Sequence, residues 1–345
     1  MKGIVLFFTI GIGIILTGSE PAYAQSGEDP YLDLIGKVQD IQDSISVGNM
    51  TIHNAFKHQI LAHQEAQFDT LRILEKIYRP NRQVFDECLS LIFGEENGKN
   101  FKPQGLYDWN RDLLTNNEEL IKEKLSVLDS VDLNTLFTNH LEAIQALTGQ
   151  EGVGKWMVYF GPNGFQIFSG CSNNSMVLDM FGTQWNAKSI NEVFAHELEH
   201  LIFGPVLEND PNGQTGLGIT LDEGLAVYFT SVYLNQTERE ALYDEETDML
   251  FAREPEIFNN LEPYLFKTNQ EGCPIFRHCG RNNECEPIID DLPQEIENEL
   301  CYFLGYRIIK KYVEKHGENS WKDIYHLPLK DFYDKSGYRE FIRSK

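Results

Sequence analysis

His196, Glu197 and His200 stand in the order His-Glu-x-x-His within a stretch running from Asn191 to Pro205. Residues four apart share one face of an α-helix, so the two imidazoles can point at a single ion. Glu197 is displaced around the helix, where its carboxylate can reach a water on that ion; the pattern is that of two zinc ligands and a catalytic carboxylate. Ser189 with Glu192 reads as a capping box for this helix. Ile190, Val193, Phe194, Leu201 and Ile202 form an apolar flank, and Gly204-Pro205 reads as its stop. The plainer alternative is a solvated helix carrying two histidines and several acids.

A second segment, Gly218 to Leu234, reads as another helix with a buried apolar face, and it carries Asp222-Glu223-Gly224. A glycine inside a helix costs about 1 kcal/mol relative to alanine, and a close approach to another helix would account for Gly224. Two histidines and one glutamate with an open fourth position make a catalytic zinc set, which points to Glu223 as third ligand. Thr220-x-x-Glu223 is also a capping box, so Glu223 could instead cap its own helix. Asp222 and Glu192 are candidates to orient a ligating histidine through its other N–H; Glu199 reads as an exposed acid.

His196-Glu-Leu-Glu-His200 followed by Asp222-Glu223-Gly224-Leu-Ala226 resembles the gluzincin metallopeptidases. More closely, the chain is similar to a family of predicted bacterial Zn-dependent proteases. The likeness runs over roughly residues 150–340 and takes in Tyr302-Phe-Leu-Gly305-Tyr306. It departs in a longer spacer between His200 and Glu223. The metzincin pattern is absent, since Phe203 and Val206 stand where its glycine and third histidine would be. The resemblance implies one zinc ion per chain on His196, His200 and Glu223, with Glu197 as general base on a zinc-activated water. It implies an oxyanion donor well downstream of the third ligand: Tyr302, three residues before a glycine, or Tyr306 one turn on. Both rings could equally be core residues. It also implies a small sheet beside the zinc helix, with an edge strand that holds an extended peptide.

The elements that must position these residues follow from the rest of the chain. Lys2, an apolar run to Leu16 and Ala22-Tyr23-Ala24 read as a secretory signal peptide over residues 1–24. Export to the periplasm or the outside follows, without stable membrane insertion. Six cysteines, at 88, 171, 273, 279, 285 and 301, then suggest disulfides. A second zinc site on Cys273, His278, Cys279 and Cys285 is the alternative, although paired Cys-x-x-Cys spacings are missing. A net charge of −24 argues against nucleic acid or an anionic membrane surface as partner; a peptide or protein substrate is what the resemblance implies. The 41% of hydrophobic residues suffices for a packed core.

Residues 31–125 read as helical, on the stripes Leu34, Val38, Ile41, Ile45 and Phe68, Leu71, Leu74, Tyr78. His53, His58 and His63 recur every five residues, which does not stack them on a helix, and they read as ordinary polar positions. Val131–Leu147 reads as a helix ended by Gly149. Short runs around Trp156–Phe160, Phe165–Phe168 and Met176–Phe181 carry strand and turn signals. Glu297–His316 reads as a helix closed by Gly317. The expectation is a mainly helical α+β protein: a signal peptide (1–24), a helical N-terminal region (25–130) and a zincin-like domain (131–345) with a small mixed sheet.

Overall fold

A computed structural model describes residues 31–345 except 66, 163–166, 172–174, 183–185, 243–246, 269–288, 290–291, 293–295 and 297–299, and leaves the side chains of 92 and 167–171 undescribed. The signal segment, Cys273, Cys279, Cys285 and His278 therefore lie outside the described residues. The fold is mainly helical α+β with one mixed five-stranded sheet. The chain divides into two compact units, one of residues up to Leu136 with Gly154–Ser189, the other of Phe137–Val153 with Ile190–Lys345.

The first unit holds the sheet. Its strands are β1 (Ser44–Val47), β2 (Asn49–Asn54), β3 (Val153–Tyr159), β4 (Ile167–Cys171) and β5 (Ser175–Asp179), in the order β1-β2-β3-β5-β4. β1 and β2 pair antiparallel, as do β4 and β5, while β3 and β5 run parallel. Every residue of β5 is buried, as a central strand requires, and β4 is an edge.

Two of these strands come from the region expected to be wholly helical. After α1 (Leu32–Val38) the stripe does not continue: Ile45 sits in a hairpin whose turn places Gly48 at φ +55. A two-residue turn with positive φ suits the strand twist and favours glycine. The chain then enters α2 (Ala55–Leu61) and, after short helical turns, the long α3 (Pro103–Val131). The sheet thus draws strands from both sides of residue 130, because β2 and β3 complete each other's hydrogen bonding. Its core gathers Ile73, Phe85, Leu89, Phe101, Met157 and Val177. His53 and His58 are buried, not ordinary polar positions: Asn81 Nδ2 lies 2.8 Å from His53 Nδ1, and Asp43 Oδ1 lies 3.3 Å from His58 Nε2.

The second unit is built on α4 (Leu133–Thr148), α5 (Ala187–Asn209), α6 (Gly216–Tyr233) and α7 (Leu300–His316). α4 and α5 begin just before the unit boundary. Phe137 of α4 packs on Phe194 of α5 with centroids 4.4 Å apart, and His140 Nδ1 meets the Tyr233 hydroxyl of α6 at 2.6 Å. Gly149 and Gly317 end α4 and α7 with φ of +72 and +108.

α5 is longer at both ends than its signals indicate. Its reciprocal N-terminal bonds are made by Asn186 and Ser189: Ser189 N–H donates to Asn186 Oδ1 at 3.0 Å and Asn186 N–H to Ser189 Oγ at 2.9 Å. At the other end it passes straight through Pro205 to Asn209. An interior proline loses its own N–H bond and its ring crowds the carbonyl four residues back, at a cost of about 3 kcal/mol; the Asn209 side chain donates to the Pro205 carbonyl at 2.7 Å. α6 starts at Gly216 without a side-chain cap. Backbone carbonyls serve instead: Gly216 N–H donates to Lys267 at 3.1 Å and Leu217 N–H to Leu265 at 2.5 Å.

α6 and α7 touch backbone to backbone. A Cβ on Gly224 would lie 2.3 Å from Gly305 Cα, and one on Gly305 would lie 1.8 Å from the Thr220 carbonyl oxygen. The glycine inside α6 is thus explained by close approach, at the one place where α7 has a glycine too.

Candidate metal centre

α5 and α6 bring three donors together. His196 Nε2 and His200 Nε2 are 3.1 Å apart, and Glu223 Oε2 lies 3.5 Å from the first and 3.3 Å from the second. A tetrahedral zinc ion with bonds of about 2.0–2.1 Å holds its ligand atoms about 3.3 Å apart. The spacing therefore fits such an ion. The chemistry of the donors fits as well, because Glu223 is buried and its Oε2 has no hydrogen-bond partner of its own. A buried carboxylate oxygen is stable only when paired or bound to a metal.

Since α6 begins at Gly216, Glu223 sits two turns inside it and Thr220-x-x-Glu223 is not a cap. Asp222 Oδ1 accepts from His200 Nδ1 at 2.9 Å, which leaves Nε2 for the ion. Glu192 Oε1 accepts from Gln236 Nε2 at 2.6 Å.

Charge balances tightly around His200. Burial works against its charged form, but Asp222 and Glu223 outweigh it and hold the imidazole pKa well above its usual value. Burial likewise pushes Glu223 up, yet His200 and His196 bring it to about 2. A metal ion entering this site must displace a proton, so binding weakens in acid. Burial raises the pKa of Glu197, whose Oε2 is also buried and without a partner.

Tyr302 and Tyr306, both on α7 and both buried, differ in their surroundings. The Tyr302 ring stacks on His196 with centroids 6.0 Å apart and planes at 25°. Tyr306 packs against Tyr228 with centroids 5.5 Å apart.

Glu199, expected to be exposed, is fully buried. Tyr325 Oη donates to its Oε1 at 2.9 Å, and burial pushes its pKa to about 8. Its place on the apolar stripe Ala195, Leu198, Ile202 was the available signal; nothing local marks Tyr325. Glu199, His200 and Asp222 also offer atoms within 4.8 Å of one another.

Two helices thus present a His₂Glu donor set with an uncommitted carboxylate beside it, the makings of a metal-dependent hydrolytic centre. The chain matches the family described as predicted Zn-dependent protease (DUF2268) over residues 143–334, and it belongs to that family. No curated protein and no solved structure matches it. No helix among the described residues is long and apolar enough to cross a membrane.

Proposed function

We propose that this chain is an exported zinc-dependent peptidase that holds one zinc ion on His196, His200 and Glu223. The observation that carries this reading is the 3.1–3.5 Å convergence of three donors on buried helix faces. A zinc ion held there supplies Lewis acidity and lowers the pKa of water to about 7. Glu197 takes the proton of the attacking water and delivers it to the leaving amine. Burial lifts its pKa from the ordinary carboxylate range, in the direction that suits a group that must both accept and release a proton. Tyr302 donates its hydroxyl to the carbonyl oxygen as that oxygen gains charge. Its ring lies against His196, which supports Tyr302 over Tyr306.

Export is part of the proposal and rests on the N-terminal signature and cysteine content. N-terminal sequencing of exported protein should begin at Gln25. Fewer than six free thiols under denaturing conditions should be found in protein from its own compartment.

The test of the activity is to incubate purified mature protein with a peptide library, with and without a chelator, and to read products by mass spectrometry. Chelator-sensitive cleavage supports the reading. Stoichiometric zinc without cleavage points to a zinc-stabilised binding module, or to a hydrolase of non-peptide substrates.

A further inference from the structure

Glu199 lies on α5 between the two histidine ligands in sequence, directly before His200. It is fully buried, and while its Oε1 accepts from Tyr325, its Oε2 has no hydrogen-bond partner. Burying a carboxyl group with one oxygen unsatisfied is costly, and an apolar residue would fill this stripe more cheaply. Tyr325 contacts α5 at two points. Its hydroxyl meets Glu199 at 2.9 Å, and its ring packs edge-on against Phe203, one turn further, with centroids 5.9 Å apart. Tyr325 is the last residue of a 3₁₀ turn, Ser320–Tyr325, which packs against α6 through Trp321, whose ring lies 6.3 Å from that of Tyr228 and 6.2 Å from that of Phe229.

Two contacts one turn apart fix how far a helix is rolled about its own axis. Roll is what sets how far the two imidazoles of α5 lie from Glu223 on α6, because a turn of α5 carries both Nε2 atoms together past Glu223 Oε2, which now lies 3.5 Å from His196 and 3.3 Å from His200. Ligand geometry of this kind must be held to about 0.5 Å by groups outside the ligand set. On the far side of His200, Asp222 takes the Nδ1–H at 2.9 Å, and a Glu199 oxygen is within 4.8 Å of both.

We propose that Tyr325 is a positioning residue of the metal centre: by holding Glu199, its hydroxyl fixes the roll of α5 at which His196 and His200 face the same ion as Glu223 of α6. The inference rests on the metal-centre reading above. It goes beyond it in making a residue more than a hundred positions downstream a determinant of metal affinity.

The test is Tyr325→Phe, which keeps the ring on Phe203 and removes only the hydroxyl. Zinc affinity is measured by chelator competition on full-length mature protein, together with the melting temperature of the metal-free form. Tyr312→Phe is the matched control. Tyr312 Oη donates to Asp323 of the same 3₁₀ turn at 2.8 Å, so this variant loses an equivalent bond to the same element without touching α5 through Glu199. Tyr325→Phe should weaken zinc binding about tenfold, the lower end of what loss of an outer partner costs, while Tyr312→Phe binds zinc like the wild type. Glu199→Gln retains an acceptor for Tyr325 and should stay within about threefold of wild-type affinity, whereas Glu199→Leu should match the Tyr325→Phe loss. Wild-type affinity in Tyr325→Phe overturns the proposal, as does an equal loss in both tyrosine variants, which would make the effect one of general stability. If Tyr325→Phe does not fold, the Glu199→Gln and Glu199→Leu pair decides by the same criterion. Failure of the wild type to bind zinc at all would refute the metal-centre reading instead.

Discussion

Gly305→Ala tests whether the backbone contact of α6 and α7 holds the site together. The added Cβ would fall 1.8 Å from the Thr220 carbonyl oxygen and 2.8 Å from Gly224 Cα, whereas real Cβ contacts essentially never fall below 3.0 Å. The helices must therefore part by about 1.2 Å, and no flexible side chain can yield in their place, because the obstructing atoms are backbone. Overpacking costs about 1–3 kcal/mol, and the rigid obstruction puts this site at the upper end. Replacing glycine by alanine inside a helix returns about 1 kcal/mol. The net loss is about 2 kcal/mol, which for a unit of this size lowers the melting temperature by about 4–8 °C. Gly36→Ala in α1 supplies the contrast. Gly36 is exposed and a Cβ there meets nothing within 4 Å, so only the propensity gain of about 0.5–1 kcal/mol remains. Tyr302 lies one turn before Gly305 and travels with α7, so peptidase activity should drop about 100-fold for a displacement near 1 Å. Differential scanning fluorimetry on the two variants and the wild type, with turnover on a cleaved peptide, reads all of this. A Gly305→Ala protein as stable as the wild type would refute the argument from contact.

Glu197→Gln should retain zinc, by elemental analysis, and lose peptidase activity, whereas Glu223→Gln should lose zinc affinity; an empty site in Glu197→Gln would overturn this division of roles. Tyr302→Phe should lower kcat about 100-fold with zinc content unchanged, as loss of an oxyanion donor does, and Tyr306→Phe should be nearly fully active. The reverse result moves the role one turn along α7. Burial, with Lys155 and His58 nearby, lowers the His53 pKa from 6.5 to about 4. Between those values the unfolded chain binds a proton that the folded chain does not, so stability falls as pH drops from 6.5 to 4, by up to about 3 kcal/mol. Denaturant titrations at stepped pH should show this slope, and His53→Gln should flatten it; an unchanged slope in the variant would assign the acid sensitivity elsewhere.

The parts of the site that could be read in the sequence are those whose cause is local or costly. His196 and His200 share a face by helical period alone. Gly224 and Gly305 each impose a penalty on their own helix, and a penalty with no local benefit points to a contact elsewhere; the structure supplies it as one shared crossing. What escaped has the opposite character. The hairpin at residues 44–54 was hidden because Ile45 happens to continue the spacing of Leu34 and Val38, although Gly48-Asn49 between Val47 and Met50 was a two-residue turn in plain view. A periodic stripe shows which residues are apolar, and only the turn chemistry shows where the period changes. Pro205 misled for a related reason: it costs a helix about 3 kcal/mol through a lost bond and a ring clash, and α5 nevertheless runs through it to Asn209 because the packing of its buried face outweighs that cost. Glu199 stands on an apolar stripe where an acid is out of place, so its burial was open to inference. Its partner was not, since Tyr325 is 126 residues away and owes its role wholly to tertiary packing. Residues that bind an ion are thus marked by their own spacing, whereas a residue that sets their angle leaves a trace only in the misfit of what it holds.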